Sequence, residues 1–394
     1  MPAAHHKKET HAPVTFPLPE DKIPFVTLSE ADVNAYRKLA KGVISSTLEQ
    51  EIKYRYRDQL LLDPHEWKFV KSKERMRVYK RIATSDNMVP MVLGVGFIEG
   101  TLEDALYGLH HKTTDEMRTT SQYINKHILD TAVLQNFELG TDEDPFRYLG
   151  LKWRVAETPG GHLIKNRDVC NLERMGIDTD SQGIRYGFQL LKSVEAPGFE
   201  PFPESIMVRA QMMLCCIFRQ VTPNVVAFYS KGVFNLCGNL AEFMAFNTCA
   251  DMVLSISKVV DCAAAKRLTT MVINQQRNKS QTPHKSQPQH SRSVRLLGSA
   301  GRDVFKSTRC ALCTRKPSIM SSPCRPCKIC MTPVCNKCYV KTYVLAKPQK
   351  LRIVCCKNCI MKSREFPVDP RDPYPLLHVD DEDRTEVSAS NYDL

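Results

Sequence analysis

Four C-x2-C pairs in the C-terminal third of the sequence constrain this chain more than any other feature. Zinc in structural sites takes four ligands in a tetrahedron, and a C-x2-C turn presents two thiolates to one ion. Eight thiolates in this pattern predict two zinc ions. The pairs are Cys310 with Cys313, Cys327 with Cys330, Cys335 with Cys338, and Cys356 with Cys359. Cys324 and Cys355 are spare ligands, because Cys324 also forms a C-x2-C pair with Cys327 and Cys355 adjoins Cys356.

The remaining composition is that of an ordinary soluble protein. The chain has 394 residues, 42% hydrophobic and 25% charged, which allows two or three domains. It shows no apolar run of the ~18–20 residues that span a bilayer, and its first residues lack the apolar centre of a signal peptide. We therefore expect a cytoplasmic protein whose clustered cysteines bind metal rather than form disulfides. The other six cysteines lie in apolar surroundings and are predicted to be buried and unreactive.

Positive charge is concentrated around the cysteine-rich region. Residues 276–366 contain 20 Lys or Arg and two acidic residues, although the whole chain has a net charge of +12. Such a surface attracts an anionic partner, either phospholipid head groups or nucleic acid. A solvated surface that only maintains solubility is the alternative.

The first half of the chain alternates helix and strand patterns. Residues 1–24 are predicted to be a flexible arm. Ser29 and Asp32 form a capping box before a helix that extends to about Leu61. The segments 67–81 and 91–99 are predicted strands, and Thr101 is predicted to cap a helix that ends near His110.

Further strands and one long helix complete this domain. Strands are predicted at 146–155, 161–175, 184–194, 205–220 and 224–229. Between 240 and 273, apolar residues at steps of three and four, Phe243 and Val253 among them, predict a helix with one face packed on the sheet. The predicted fold class is α+β, with an antiparallel sheet and a long C-terminal helix, followed by a small two-zinc module.

Residues 25–275 resemble the START (StAR-related lipid-transfer) family. The resemblance lies in Trp67, in Met76-Arg-Val-Tyr79 and in Asn166-Arg-Asp-Val-Cys170. It implies a helix-grip fold, a curved antiparallel sheet with a tunnel under its last helix that holds one lipid or sterol. Arg167 and Asp168 are candidates for that cavity, where burial requires that they pair with each other or with a polar lipid group. The alternative is a tunnel filled by the protein's own side chains.

Other motifs indicate no catalytic step. The sequence contains no G-x-S-x-G and no H-E-x-x-H. His110 and His111 are predicted to be a surface or capping pair. Residues 276–303 are predicted to be a basic flexible linker, 304–366 the zinc module, and 367–394 an acidic disordered tail.

The cysteine spacing resembles the FYVE family of zinc fingers. The resemblance implies that the pairs alternate between two metals: Cys310, Cys313, Cys335 and Cys338 hold one, and Cys327, Cys330, Cys356 and Cys359 hold the other. It also implies recognition of phosphatidylinositol 3-phosphate on endosomes. Here the family's basic histidine-containing stretch reads Pro323-Cys-Arg-Pro-Cys-Lys328, so Arg325, Lys328 and Arg352 are predicted to attract anionic membrane in a more general way.

Two other functions remain for the zinc module. A RING-like ubiquitin-ligase adaptor also cross-braces two zinc ions, although residues 310–359 contain no histidine, and a protein-interaction module of that kind is one alternative. A nucleic-acid-binding module is the other, but there is no recognition-helix spacing. The favoured prediction is a non-enzymatic, zinc-binding and lipid-binding protein of the cytoplasm, which acts peripherally on endosomal membranes in membrane trafficking.

Overall fold

The computed structural model describes residues 14–82, 90–160, 164–280, 309–316, 323–347 and 349–378, with side chains up to residue 278 in the last helix before the gap. The chain divides into two compact units. Unit 1 comprises Met1–Leu106 and His110–Val259, and unit 2 comprises Tyr107–Leu109 and Val260–Leu394.

The N-terminal segment of unit 1 packs on its core. The backbone amide of Leu18 donates to Asp130 over 2.6 Å, and Phe16 lies 6.2 Å from the ring of Trp153. The described residues 14–24 are therefore ordered, in contrast to the predicted arm at 1–24; residues 1–13 lie outside the description. Helix α1 (Glu30–Ile52) begins at the predicted capping box of Ser29 and ends in a π-helical turn, Lys53–Arg57.

Nine strands of unit 1 form one antiparallel sheet in the order β1-β2-β3-β10-β9-β7-β6-β5-β4, and β8 pairs in parallel with β6. The strands are β1 Trp67–Lys73, β2 Met76–Arg81, β3 Met91–Glu99, β4 Ile128–Glu138, β5 Tyr148–Ala156, β6 Arg167–Thr179, β7 Arg185–Ser193, β8 Val208–Arg209, β9 Gln211–Thr222 and β10 Val225–Asn235. The segment 67–81, predicted as one strand, is a hairpin, because Glu74 turns the chain with φ 54°.

Two short helices precede β4. Helix α2 (Leu102–Leu109) has the predicted capping box of Thr101 and Asp104. Helix α3 (Thr114–Ile124) and strand β4 have no counterpart among the sequence predictions. His110 is the C-cap residue of α2, as one of the two predicted alternatives had it, but His110 and His111 are 5% and 3% exposed, so the alternative of a surface pair is wrong.

Opposite faces of the sheet carry different helices. Val33, Ala40 and Ile44 of α1 share a buried cluster with alternate residues of β5, β6, β7 and β9. On the other face, α4 (Glu242–Ser255) packs against β1, β2 and β3. A helix gripping one face of a large antiparallel sheet confirms the predicted fold class. Phe243, predicted on the packed face of that helix, is 68% exposed.

Unit 2 joins a helix to the cysteine-rich region. Helix α5 (Val259–Ser280) follows a 3-10 turn after α4. The other elements are β11 Arg325–Pro326, β12 Pro333–Val334, β13 Tyr339–Val344, β14 Ala346–Lys347, β15 Leu351–Cys356, α6 Lys357–Glu365 and β16 Leu377–His378. Leu268 and Val272 of α5 belong to the same buried cluster as six cysteines of this region and its aliphatic residues Val344 and Ile353.

The unit boundary lies earlier than the predicted domain boundary. The predicted first domain extends to residue 275 and includes the whole long helix, but the structure divides the chain after Val259, and α5 packs with the cysteine-rich region. Its Thr269 hydroxyl accepts a hydrogen bond from the amide of Leu345 over 2.9 Å. The predicted linker, 276–303, begins inside this helix, and the rest of it lies outside the described residues.

The predicted tail, 367–394, also differs in its described part. Leu377 and His378 pair with Ala346 and Lys347 as two parallel strands, and Leu377 is 2% exposed. Residues 379–394 lie outside the description.

The continuous helix Glu242–Asn278 is long and apolar enough to cross a membrane by length and composition. Half of its most apolar window is buried within the structure.

Candidate metal centres and buried polar cluster

The structure gathers eight cysteines of unit 2 into two groups of four. The first metal group is Cys310, Cys313, Cys335 and Cys338, and the second is Cys327, Cys330, Cys356 and Cys359. Within each group the four sulfur atoms lie within 4.8 Å of one another. The C-x2-C pairs therefore alternate between the two groups, as the FYVE resemblance implied.

The sulfur spacing fits a tetrahedral thiolate site. A metal–sulfur distance of about 2.3 Å, typical of zinc, places tetrahedral sulfurs about 3.8 Å apart. The Sγ atoms of Cys313 and Cys335 are 3.8 Å apart, and those of Cys330 and Cys356 are also 3.8 Å apart. Both donor sets are thus suited to one metal ion each.

The same turn brings together the first two cysteines of each group. The carbonyl of Cys310 accepts from the amide of Thr314, and the carbonyl of Cys327 accepts from Met331, both over 2.8 Å. Thr314 and Met331 have φ values of 59° and 61°, so a left-handed residue closes each turn. In the second group, Cys356 caps helix α6, where its sulfur accepts from the amide of Cys359 over 3.3 Å.

Hydrogen bonds favour the thiolate form of one cysteine in each group. Burial raises the pKa of Cys310, but the backbone amides of Cys335, Cys313 and Leu312 outweigh it and lower the pKa to about 6. The thiol of Cys355 and nearby backbone amides lower the pKa of Cys327 to about 4. A thiolate is the form that binds metal, so both sites are prepared for a cation.

The two spare cysteines lie beside the groups rather than in them. Burial, together with the charge of Cys310 and its neighbours, raises the pKa of Cys324. The hydrogen bond to Cys327 and burial raise the pKa of Cys355. The four-sulfur groups include Cys327 and Cys356 and leave out Cys324 and Cys355, so the geometry selects Cys327 and Cys356 as candidate ligands at the two positions that the sequence left ambiguous.

The predicted lipid-contact residues lie on or near the β13–β15 hairpin. Arg352 is exposed on β15 directly opposite Tyr343, which is 38% exposed. The amide of Lys328 donates to the carbonyl of Val354 over 2.9 Å, which places Lys328 beside the same strand. Arg325 lies on the short strand β11 and is half-buried.

The predicted cavity pair, Arg167 and Asp168, does not form. Asp168 is fully buried and accepts from Trp153 over 2.8 Å and from Arg209 over 2.9 Å. Arg167 donates to backbone carbonyls, including those of Lys165 and Cys237. Consecutive residues of a strand point to opposite faces, and Asp168 shares the α1 face with Trp153.

A different group of charged residues lies on the α4 face. Gly94 of β3 lies against Val253 of α4. Across the sheet Gly94 pairs with Ser230, Ser230 with Cys216, and Cys216 with Gln189, so Gln189 lies on the same face as α4. Glu173 shares this face and accepts from Gln189 over 2.9 Å.

Lys152 completes this buried polar cluster, which we define as Lys152, Glu173, Gln189, Arg154 and His111. The side chains of Lys152 and Glu173 are 1% and 0% exposed, and their charged atoms are 3.1 Å apart. The Lys152 ammonium also lies 2.8 Å from Nδ1 of His111, and Arg154 lies 3.4 Å from Glu173.

Burial and charge act in opposition within the cluster. Burial lowers the pKa of Lys152 to about 8, although Glu173 partly offsets this effect. Burial alone would raise the pKa of Glu173, but the charges of Lys152 and Arg154 hold it below its usual value. Two buried charges stay ionised only with partners that satisfy them, so the cluster is a fixed dipolar site within an apolar layer.

Sequence reasoning missed this cluster, although a signal was present. Strand β5 reads Tyr-Leu-Gly-Leu-Lys-Trp-Arg-Val from position 148, with two basic residues inside a strand that is otherwise apolar. Basic residues in a buried strand require a buried acid, and Glu173 on the neighbouring strand was the nearest candidate.

A cavity of about 350 Å³ opens at another part of unit 1. It lies where the β4–β5 connection meets the ends of β6 and β7, and charged groups such as Asp144 and Arg174 line it. This cavity is not the tunnel expected under the last helix, which stays a prediction.

Of the six cysteines outside the zinc region, five are buried: Cys170, Cys215, Cys216, Cys249 and Cys262. Burial raises the pKa of each, which agrees with the predicted unreactive thiols. Cys237 is only half-buried.

Comparison with known proteins found similarity at the level of three-dimensional structure. No protein-family model matches the chain, and no curated protein sequence matches it. Among solved structures, human StAR-related lipid transfer protein 5 is similar, with 18% identity, a TM-score of 0.41, and coverage of 57% of this chain and 97% of that one.

Two further structures are similar to a comparable extent. Human STARD10 has 13% identity and a TM-score of 0.40, and covers 58% of this chain and 87% of its own. A fragment of a STAR-related lipid transfer protein from Xanthomonas axonopodis has 14% identity and a TM-score of 0.36, with coverage of 50% and 96%. All these TM-scores lie below 0.5, so the similarity by itself decides neither the ligand nor the activity of this chain.

Proposed function

We propose that the chain is a non-enzymatic, cytoplasmic protein that binds two zinc ions in unit 2, a lipid in unit 1 and an anionic membrane surface. The observation that carries the lipid assignment is the buried polar cluster on the sheet face gripped by α4. The two cysteine groups carry the zinc assignment.

Zinc is the metal that this donor set favours. Four thiolates in a tetrahedron suit zinc or an iron–sulfur cluster, and the C-x2-C turns with sulfurs 3.8 Å apart are typical of zinc modules. Metal coordination would supply much of the folding free energy of such a small region, since six of the fifteen members of its buried cluster are cysteines.

The buried polar cluster suits the polar end of an otherwise apolar ligand. Ligand pockets are mostly apolar with a few polar groups that fix orientation. Lys152 and Glu173 offer both a donor and an acceptor, and Gln189 adds an amide. A sterol hydroxyl or a lipid carbonyl or head group would match these groups, while the apolar surroundings accept the chain or ring system.

Membrane contact is assigned to the outer face of the β13–β15 hairpin. Lys341, Tyr343 and Arg352 share that face, and the Lys350 ammonium lies 4.8 Å from the centre of the Tyr343 ring. Each Lys or Arg near an anionic bilayer contributes about 1 kcal/mol, and an exposed tyrosine is suited to the interface. Phosphoinositides on endosomes are the anionic lipids that we propose for this face.

A protein-interaction role, including that of a RING-like ubiquitin-ligase adaptor, is the second candidate. It is favoured by Met361 of α6, which is 65% exposed, and Val340, which is 41% exposed, because exposed apolar side chains of a zinc module offer anchors to a partner.

Two measurements test the zinc and lipid assignments. Metal analysis of the purified chain is expected to find two zinc ions per molecule, and no bound metal would contradict the assignment. Native mass spectrometry is expected to detect one co-purified lipid, and Glu173→Gln is expected to lower its occupancy. The matched control is Glu103→Gln, which alters an acid that is exposed and paired with Arg185.

Sedimentation with vesicles tests membrane contact. We expect binding to phosphatidylcholine vesicles only when phosphatidylserine or phosphatidylinositol 3-phosphate is added. Arg352→Gln is expected to weaken binding about fivefold, from about 1 kcal/mol per basic residue. Arg185→Gln, which removes an exposed charge of unit 1, is the control. A chain that binds no anionic vesicle would favour the protein-interaction candidate.

A further inference from the structure

An exposed apolar turn follows helix α1 in unit 1. Leu61 is 72% exposed, Leu60 is 44% exposed, and Tyr56 in the preceding π-helical turn is 51% exposed. Large apolar side chains exposed singly are normal, but several together on one turn usually mark a binding surface.

The backbone of this turn is held in an uncommon conformation. Gln59 and Leu60 have φ values of 50° and 63°, in the left-handed region that residues with a side chain rarely adopt. Two hydrogen bonds fix the turn: the amide of Leu60 donates to Tyr54, and the amide of Leu61 donates to Asp58, each over 2.9 Å. Such conformations persist where the surroundings impose them, and they cluster at functional sites.

The turn continues into the edge of the sheet. Leu62 points inward and packs in one cluster with Tyr54, Trp67 and Tyr79. Phe69 of the edge strand β1 stacks edge-on against Tyr79 at 5.9 Å and is itself 53% exposed. The Leu62–Tyr79 cluster thus links the turn to Phe69, and we call the exposed side chains on either side of it, Tyr56, Leu60, Leu61 and Phe69, the edge patch.

Exposed basic residues lie near the edge patch. Residues 53–81 contain ten Lys or Arg and four acidic residues, and five of the ten, Lys71 and Lys80 among them, form ion pairs. Arg57 on the π-helical turn and Arg77 on β2 are exposed. Phe69 pairs with Tyr79 across the β1–β2 hairpin, and Arg77 lies two residues before Tyr79 on β2. Residues two apart on a strand share a face, so Arg77 and Phe69 lie on the same face of the hairpin.

We propose that the edge patch inserts into the interfacial layer of an anionic membrane, as a second contact site that does not depend on the zinc module. Leucine, phenylalanine and tyrosine side chains bury apolar area among lipid head groups, while the surrounding Lys and Arg pair with lipid phosphates. The charge of the surface complements an anionic bilayer. Two adjacent leucines offer little to a nucleic acid, whose bases stack on aromatic side chains.

A double substitution in the full-length chain tests the patch. Leu60→Asn/Leu61→Ser removes both leucines, and asparagine accepts the left-handed backbone at position 60. Exposed side chains are changed, so the fold is expected to persist. Binding to phosphatidylcholine vesicles containing phosphatidylserine is expected to fall about tenfold, as the loss of at least one buried leucine predicts. Unchanged binding would overturn the proposal.

A matched control comes from apolar side chains of similar exposure elsewhere in unit 1. Ile184 is 38% exposed and Val221 is 49% exposed, and both lie at other hairpin turns of the sheet. Ile184→Ser/Val221→Thr is expected to leave vesicle binding unchanged. An equal loss in this control would show that general surface apolarity, not the edge patch, drives binding.

Tryptophan fluorescence separates the edge patch from the zinc module. The chain has two tryptophans, of which Trp153 is 1% exposed and Trp67 belongs to the cluster beneath the patch. Brominated phosphatidylcholine in anionic vesicles is expected to quench the emission of the wild-type chain, and Trp67→Phe is expected to abolish this quenching. Arg352→Gln, which weakens contact by the zinc module, is expected to leave the quenching of vesicle-bound protein unchanged.

The quenching result also distinguishes failure of this proposal from failure of the proposed function. Vesicle binding without quenching would leave contact by unit 2 intact and overturn insertion of the edge patch. Quenching that persists in Arg352→Gln with unchanged binding would support the patch and contradict membrane contact by unit 2. Binding of a single-stranded oligonucleotide, with no binding of anionic vesicles, would overturn the membrane assignment and assign the patch to nucleic acid.

Discussion

Unit 1 and unit 2 are stabilised by different kinds of core. Unit 1 buries large side chains such as Trp153, Phe218 and Phe234 between a wide sheet and its helices. The buried cluster of unit 2 contains six cysteines among its fifteen members, together with Leu268 and Val272 of α5. A small region buries little apolar surface, and metal ligands can take the place of a larger core. Unit 1 thus relies on packing of large side chains, whereas unit 2 contains two four-cysteine groups suited to a cation.

Removal of metal is expected to give the largest difference in stability between unit 1 and unit 2. Structural zinc contributes about 10–16 kcal/mol of apparent folding free energy in zinc-finger peptides. A chelator is therefore expected to unfold the cysteine-rich region and to raise amide hydrogen exchange in 323–366 and around Leu268 and Val272. Strands β9 and β10 of unit 1 should keep their protection. Equal deprotection of both units would contradict the division.

Loss of a buried charge is expected to have the next largest effect on the free energy of unfolding. It tests whether apolar packing alone accounts for the stability of unit 1. Glu173→Gln leaves Lys152 and Arg154 without their acid, and breaking a buried ion pair costs about 3–5 kcal/mol. Chemical denaturation of unit 1 measures this change. Glu103→Gln, in an exposed pair, should cost about 1 kcal/mol or less. Equal costs for the two variants would show that the buried polar cluster is not desolvated.

A test of close packing in unit 1 follows at Gly94. A Cβ atom at this position would lie 2.5 Å from Cγ1 of Val253 and 2.6 Å from Oγ of Ser230. Gly94→Ala is therefore expected to destabilise unit 1 by about 1–3 kcal/mol in thermal unfolding. In the double variant, Val253→Ala should recover part of that loss, because it removes the clashing methyl group. Additive losses would contradict close approach of α4 to the sheet.

The smallest expected effect concerns the start of α1. Ser29 accepts from the amide of Asp32 over 3.2 Å and completes a capping box with it. Ser29→Ala is expected to lower the free energy of unfolding of unit 1 by about 1 kcal/mol. Ser45→Ala, at an exposed position inside the same helix, is the control and should be neutral or slightly stabilising. A cost in the control as large as that of Ser29→Ala would contradict a capping role.

Local patterns allowed much of the fold to be predicted. The caps at Ser29 and Thr101 depend on residues three positions apart, so they are visible without tertiary structure. The strands β5, β6 and β7 were placed to within a few residues, except that β6 begins at Arg167 rather than near 161. Helix α3 was missed because it is largely polar, with only Met117 among its apolar residues fully buried.

Contacts between residues far apart in the sequence could not be predicted from local patterns. For Arg167 and Asp168 the sequence left two alternatives, a pair with each other or with a polar lipid group. Consecutive residues of a strand face opposite sides, and Asp168 instead accepts from Arg209. The packing of α5 with the zinc region could not be read from its helical period, because the same apolar stripe fits a sheet or a cysteine cluster.

The sequence by itself determined the two metal groups, since C-x2-C spacing dictates which sulfurs share a turn, and the family resemblance supplied their alternation. It also determined the α+β class, because periodicities of two and of about 3.6 residues are local properties. The choice of Cys327 and Cys356 over Cys324 and Cys355 for the four-sulfur groups needed the tertiary structure, because it depends on which sulfur atoms come close together in space. The pairing of Lys152 with Glu173 likewise needed the tertiary structure. Charges buried on neighbouring strands pair according to the strand register, and no short stretch of sequence specifies that register.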